Sequence, residues 1–495
     1  MGTRRVQDAD YDVVIVGAGF SGINFGYRLQ ERNPELSYCI LEGRHQVGGT
    51  WSLFQYPGIR SDSDLYTFGF PWRPWVEKQP IARGPLILNY LEASVAEAGI
   101  DNKIKFNHRV VSMDWSSASS TWTLNVTAGG GDDNEVVSMS MRARFVLLGT
   151  GYYDYEEPLE ARIPGIDSFR GAVVHPQFWP RDLDYTGKNV VVIGSGATAV
   201  TLLPSMADKA AHITMLQRSP SYVVALPEND PLDWAARLLL PAALARRLIR
   251  FRWIMAAFLI ATLCRWFPRL ARAVILWLTS LELPTGTKMQ PHFTPRYNPW
   301  EQRMCFCPGG DFFQCLRAGK ASVETGVIEQ VTGSTIRLES GRELHPDIIV
   351  TATGLKVRLG GGIDVSLDGR PVRVAECYSW KGCMLENLPN VFYSMGYFDA
   401  SWTLGVDATA QLVCRLLNTV TRDGFAHIVP RLSEAEKSTM SDLPFLPINS
   451  TYVERAKGVF PKVRNSKQWL PRSYYWKDLA NAWWGDVQSG LEWSR

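Results

Sequence analysis

No two of the eight cysteines stand in Cys-xx-Cys spacing; Cys39, Cys264, Cys305, Cys307, Cys315, Cys377, Cys383 and Cys414 fall at irregular intervals. That excludes a regular disulfide framework and a dithiol redox motif, and it fits a reducing compartment. Charge of one sign is equally scarce. A net charge of +3 over 495 residues makes nucleic acid an unsuitable partner. Long apolar runs are missing too: the longest uncharged one, Trp253 to Cys264, falls well short of the ~20 residues of a spanning helix. Met1–Asp10 has no apolar run behind its basic residues, Val6 argues against myristoylation of Gly2, and the final Trp-Ser-Arg is not a peroxisomal address. The expectation is a cytoplasmic protein.

What the chain does have is apolar mass, 46% hydrophobic residues, enough for two or three domains. Asp12–Val16 is a continuous apolar strand running into Gly17-Ala18-Gly19-Phe20-Ser21-Gly22; a helix-like segment reaches Leu29, and a strand, Tyr38–Leu41, ends on Glu42. This is a βαβ unit with Gly-x-Gly-xx-Gly at its first turn. Gly17 makes the tight turn, Gly19 admits a pyrophosphate, and Gly22 lets helix and strand pack closely. The helix start, at Phe20 and Ser21, offers N–H groups to phosphate, while Glu42 can accept from ribose hydroxyls. A second unit runs through Val190–Ile193, Gly194-Ser195-Gly196-Ala197-Thr198-Ala199, a helix and His212–Leu216. Here the second strand ends on Gln217-Arg218-Ser219 rather than an acid, so Arg218 and Ser219 suit a 2′-phosphate, and NADP is expected rather than NAD.

Other segments read as strands at Ile104–Phe106, Thr121–Thr127 and Val136–Arg142, with a Gly129–Asn134 turn between the last two, and at Phe145–Leu148 as a separate strand back in the first sheet. Glu157–Pro164 reads as a linker. Ser322–Val327, Thr335–Leu338 and Asp347–Thr351 extend the second unit; Asn390–Tyr393 returns to the first, followed by a helix over Ala408–Asn418. The Trp- and Tyr-rich stretch from Leu432 to Arg495 has no readable period. The expected fold class is α/β, with two Rossmann-like dinucleotide-binding domains. The first comprises residues 1–155 and 385–495, the second 165–230 and 300–380, and a helical insertion occupies 231–299.

That insertion carries eight arginines and no acid between Trp234 and Leu281. Pro241 and Pro268 divide it into three helices. Arg246, Arg247 and Arg250 share one face, with Leu244, Leu248 and Phe251 on the other. Either the element lies on an anionic membrane surface or it is an insert covering the active site. The apolar faces suffice to pack a subdomain, which favours the second reading.

Between the two units stands Phe169-Arg170-Gly171-Ala172-Val173-Val174-His175-Pro176-Gln177-Phe178-Trp179-Pro180. Phe-x-Gly-xxx-His-xxx-Trp-Pro at that place resembles the fingerprint of Baeyer–Villiger monooxygenases. Gly48–Asp62, with Gly49-Thr50-Trp51 and Phe54-Gln55-Tyr56-Pro57-Gly58, fits the same family's second signature. Asn298-Pro299-Trp300 and Ala400-Ser401-Trp402-Thr403-Leu404 look like the ethionamide-activating subgroup.

The resemblance implies FAD and NADPH as cofactors and insertion of one oxygen atom of O2 into apolar ketones, giving esters or lactones through a C4a-peroxyflavin, with sulfide oxidation as a side activity. It also implies that Gly49, Thr50, Trp51, Asp62 and Trp402 contact cofactor. Arg303 matches the active-site cation, Asp62 the carboxylate that holds it, and Arg60 a further cation. A guanidinium suits the role because it keeps its proton at working pH. One departure is Gln302, where the family often has a lysine that helps bind the 2′-phosphate. Phe169, Gly171, His175, Trp179 and Pro180 are read as linker residues that set domain geometry. Cys305-Phe306-Cys307 lacks a histidine partner, so packed thiols are expected there, and no metal. An N- or S-oxidising flavin monooxygenase, an uncoupled NADPH oxidase and a membrane-surface flavoprotein stay open as alternatives.

Overall fold

A computed structural model describes residues 9–129, 136–446, 451–456 and 458–495. The extreme amino terminus and most of the expected Gly129–Asn134 turn lie outside them. The apolar run Tyr11–Val16 pairs in parallel with Tyr38–Leu41 on one side and with Phe145–Leu148 on the other. Its side chains alternate between two cores. Val13 and Ile15 join one cluster; Val14 and Val16 join another on the opposite face of the sheet. A strand buried on both faces needs an unbroken apolar run, and each such side chain contributes about 1.5–3 kcal/mol by leaving water.

Val137–Leu148 is one twelve-residue strand, not the two expected. Its first half pairs antiparallel with Thr121–Ala128, its second half parallel with Tyr11–Val16. Arg142 and Arg144 resemble a polar break in the sequence, but both continue the extended backbone, and Arg144 donates to the Phe425 carbonyl. The strand His108–Ser116 is absent from the sequence reading for a specific reason. A bulge between Val110 and Ser112 shifts the register, so the buried Val110 and Met113 fall three apart and the period of two is hidden.

The second sheet is parallel, in the order Ala321–Thr325, His212–Gln217, Asn189–Ile193, Ile348–Thr351, Ala172–Val174. Ala172–Val174 is therefore its edge strand, and the segment read as a linker is anchored in the second unit. Asp364–Leu367 pairs with His108–Ser116 of the first sheet, so the chain leaves the second unit earlier than the expected boundary at 380. Val391–Tyr393 returns to the first sheet beside Val137–Leu148. The following helix spans Trp402–Asp423, longer at both ends than expected. The helix Tyr475–Trp484 lies against it, with the partly buried Arg472 donating to the Gly405 carbonyl at 2.8 Å.

The insertion forms the helices Pro231–Leu239, Ala242–Trp266 and Pro268–Glu282, the last two bent by 117° at their junction. Among the described residues no single helix is long and apolar enough to cross a membrane. The expected packing is reversed, however: Leu244, Leu248 and Phe251 face outward and are about half exposed. Arg250 turns inward instead, donating to the carbonyls of Tyr66, Thr67 and Gly69. Those carbonyls end a one-turn helix, Leu65–Phe68, and a cation that satisfies three of them outweighs the burial of one more leucine.

Candidate active site

The first glycine turn is built by close approaches that leave room on one side. A Cβ on Gly22 would stand 1.7 Å from the Gly17 carbonyl oxygen, and Gly17 itself holds φ +97° against Gly149. Gly19 is different: its Cβ would meet only the Cα and N of Gly49, at ordinary contact distance. No side chain caps the helix that starts at Phe20, so its first N–H groups, including those of Ser21 and Gly22, keep capacity for an anion. Glu42 closes this turn from the second strand, accepting from the Ala18 N–H at 2.7 Å and the Arg44 N–H at 3.0 Å. Burial pushes its carboxyl up, and those two N–H bonds hold it down. Each carboxylate oxygen retains a lone pair for a ribose hydroxyl.

Gly49 (φ +54°) faces Gly19 across the turn. Arg44 ties this corner, donating to the Gly49 carbonyl and to Ser52, and Thr50 Oγ1 lies 3.3 Å from the Tyr155 hydroxyl. Trp51 packs edge-on against Phe68. Neither Arg44 nor Tyr155 carries a sequence signal, since each is defined by a partner far along the chain or by backbone geometry.

The second turn repeats the pattern. Gly194 holds φ +145°, and its Cβ would meet the Ala352 carbonyl at 2.2 Å; a Cβ on Gly196 meets nothing within 4 Å. The helix Ala197–Met206 again lacks a side-chain cap. Ser195 Oγ donates to the Ser219 carbonyl at 3.0 Å, while Arg218 and Ser219 are exposed beyond the strand end. Tyr56 lies in the same corner, and burial pushes its hydroxyl up to about 12. Both turns therefore fit a dinucleotide, with space where a pyrophosphate needs it and steric necessity where the backbone needs it.

Arg303 and Asp62 come together between these units, Nη2 to Oδ2 at 3.0 Å. Arg303 arrives on a tight loop in which Trp300 holds φ +69° and Glu301 is turned back onto Asn298, accepting from its N–H at 3.1 Å and its Nδ2 at 2.7 Å. Glu301 thus caps its own loop. Arg60, by contrast, pairs with Asp311 through both carboxylate oxygens and is nearly buried. It braces the loop Tyr56–Asp62 against the helix Asp311–Arg317 and does not meet Arg303's carboxylate. Close by, Gly58 (φ +75°) stands where a Cβ would overlap Ser205 Oγ.

Arg303 and Gln302 line a cavity of about 360 Å³ whose other walls come from Arg265 of the insertion, Met395 and Phe398 of the first unit, and Leu446 and Leu470 of the carboxyl-terminal stretch. That stretch, unreadable as sequence, is the far wall of the candidate substrate space. Trp402 stacks on Tyr152 (centroids 4.7 Å apart, 17° between planes) and presses on Gly396. His175 caps a short turn by accepting from the Gln177 N–H at 3.3 Å, and burial holds its imidazole below the ordinary histidine range. Phe169 is buried with Val191 and Ile193, Gly171 leaves no space for a Cβ beside the Asp347 carbonyl, and Trp179 packs on the second core, with Pro180 following at the surface. All eight cysteines are unpaired and buried, and burial pushes the Cys305 thiol up to about 12. Among the described residues no group of His, Cys, Asp and Glu is arranged to hold a metal.

Residues 14–228 match a family model described as pyridine nucleotide-disulphide oxidoreductase. The FAD-containing monooxygenase EthA of Mycobacterium tuberculosis strain H37Rv is 44% identical over 469 residues, 94% of each chain. The probable FAD-binding monooxygenase AlmA of Acinetobacter baylyi is 42% identical over 479 residues, 96% of this chain and 95% of that one. Among solved structures, the polycyclic ketone monooxygenase of Thermothelomyces thermophila has the same fold at 20% identity, with a TM-score of 0.76 over 100% of this chain and 91% of that one. An oxidized steroid monooxygenase bound to NADP gives a TM-score of 0.72 at 21% identity, over 98% of this chain and 99% of that one. At over 40% identity along nearly the full length of its relatives, this chain belongs to the family of FAD-containing monooxygenases that includes EthA and AlmA.

Proposed function

We propose that the protein is a Baeyer–Villiger monooxygenase that uses FAD and NADPH to insert one atom of O2 into apolar ketones, giving esters or lactones, with sulfide oxidation as a side activity. The other oxygen atom leaves as water, and NADPH supplies the two electrons. The observation that carries this reading is Arg303, held by Asp62, on the wall of a largely apolar cavity where the two nucleotide units meet.

Bound FAD supplies the activation of O2, and bound NADPH the hydride. The chain's own residues do the rest. Gly17, Gly19 and Gly22, with the N–H groups of Phe20 and Ser21, hold the FAD pyrophosphate, and Glu42 takes a ribose hydroxyl. Gly194, Ser195, Gly196, Ala197 and Thr198 do the same for NADPH, with Arg218 and Ser219 on its 2′-phosphate. Arg303 keeps a fixed positive charge where negative charge develops and cannot give up its proton there. Asp62 orients that guanidinium, and Arg60 braces the Asp62 loop through Asp311. Met395, Phe398, Leu446 and Leu470 exclude water and accept the carbon skeleton of the substrate. The buried thiols support a reducing, cytoplasmic setting.

The test is incubation of the flavin-loaded enzyme with NADPH and a ketone panel under 18O-labelled O2, with products followed by mass spectrometry. Esters carrying one labelled atom are expected. Hydrogen peroxide in place of any oxygenated product makes the protein an oxidase, and oxidation of sulfides or amines with no ester from any ketone places it with the heteroatom oxygenases.

A further inference from the structure

More than half of the large apolar side chains that the described residues expose lie between Leu232 and Leu281, about a tenth of the chain. They are ordered. Leu259, Leu263 and Trp266 follow at steps of four and three on the long helix, and Leu270, Val274 and Trp277 repeat those steps on the next, so each helix presents one continuous apolar stripe. The most exposed part is the bend itself, with Trp266 73% and Leu270 64% accessible on either side of Phe267.

The cations divide into two sets. Arg237, Arg250, Arg252, Arg265 and Arg272 are engaged by partners within the protein. Among the described residues Arg246, Arg247 and Arg269 have no acidic partner; Arg247 and Arg269 are exposed beside the stripes. No acid occurs from Trp234 to Leu281 to neutralise them.

We infer that this bent helix pair docks the enzyme on an anionic lipid bilayer, lying in the interface with the Trp266–Leu270 bend inserted shallowly among the acyl chains. Neither helix alone is both long and apolar enough to cross, and the pattern of apolar stripe, flanking arginines and interfacial tryptophan is that of an in-plane element. A second copy of this chain is a poorer occupant. A two-fold contact through this face would bring the same uncompensated arginines against one another, with no acid on the face to pair them. On the reading that the protein oxygenates apolar ketones, docking also explains the placement of Arg265, which lines the 360 Å³ cavity from this same helix. The substrate would be a ketone dissolved in the bilayer.

The experiment is sedimentation of the full-length, flavin-loaded protein with vesicles of phosphatidylcholine, with and without phosphatidylglycerol. Binding to the mixed vesicles, weaker on phosphatidylcholine alone and weakened by salt, is expected. Trp266→Glu combined with Leu270→Glu should lower the partition coefficient at least tenfold, and Arg247→Gln or Arg269→Gln about fivefold each, with the flavin spectrum unchanged. No binding to anionic vesicles, or binding indifferent to these substitutions, overturns the inference. So does a concentration-dependent dimer that the double variant splits while vesicles bind nothing. If the double variant loses its flavin, quenching of the wild-type tryptophan fluorescence by brominated phosphatidylcholine in mixed vesicles decides, and absence of quenching overturns. Turnover of a water-soluble ketone without vesicles tests the catalytic reading separately, and neither result moves the other.

Discussion

Arg303 meets Asp62 at 3.0 Å although one arrives on the loop before the strand Cys305–Pro308 and the other is the last residue of the Gly48–Asp62 signature. The pair forms only when the two units are correctly placed, so it ties domain position to the charge at the active cavity. Arg303→Ala should lower ester formation by roughly 10²–10³-fold while NADPH still reduces the flavin, with hydrogen peroxide released in its place. Stopped-flow reduction beside product analysis checks this; ester formation at the wild-type rate removes Arg303 from the cation's role.

Two positions of the glycine turns make a contrast, the third glycine of the first and the second glycine of the other. Gly22→Ala forces a methyl to 1.7 Å from the Gly17 oxygen and should cost about 1–3 kcal/mol of stability together with FAD retention. Gly196→Ala puts the same methyl into open space. It should leave the melting temperature unchanged and raise KM for NADPH. A destabilised Gly196→Ala would show that the position serves packing rather than cofactor approach.

Arg218 lies just beyond the end of its strand, followed by Ser219 where an NAD-binding unit would place an acid. Arg218→Ala should raise KM for NADPH far more than KM for NADH. Equal effects on both would take the 2′-phosphate from this residue.

Asp64 is buried at the start of the Leu65–Phe68 turn, accepting from the Thr67 N–H at 2.8 Å and the Thr67 hydroxyl at 2.6 Å. Burial pushes its carboxyl up to about 6 despite those bonds and the charge of Arg250. The unfolded carboxyl titrates near 3.9, so the folded state binds the proton more tightly. The stability this confers is complete below about pH 4 and is lost as pH rises through about 6. Asp64→Asn should therefore match the wild type near pH 4 and exceed it at pH 8 by on the order of 2–3 kcal/mol. Thermal melts across that range give the answer, and a gap that does not widen with pH contradicts it.

Much of the first unit was legible because its information is local. Gly17, Gly19 and Gly22 work within one strand–turn–helix, and Glu42 ends the next strand. His108–Ser116 escaped because a bulge hides its period, and Val137–Leu148 looked divided because two arginines interrupt its apolar residues without interrupting its backbone. The cavity wall at Leu446 and Leu470 escaped for another reason. Those residues close the site by coming back from the far end of the chain, and no spacing records that.

By itself the sequence determined the two nucleotide units and their order, since these rest on steric demands of neighbouring residues, and its two signatures resembled the family. Only the tertiary structure decided which carboxylate each arginine meets: Asp62 for Arg303, Asp311 for Arg60. It also decided that Arg250 points inward while Leu244, Leu248 and Phe251 face out. Helical periodicity assigns residues to faces, but it carries no sign for which face turns inward. That is settled by the open carbonyls of Tyr66, Thr67 and Gly69, which need a donor, while among the described residues nothing covers the leucines.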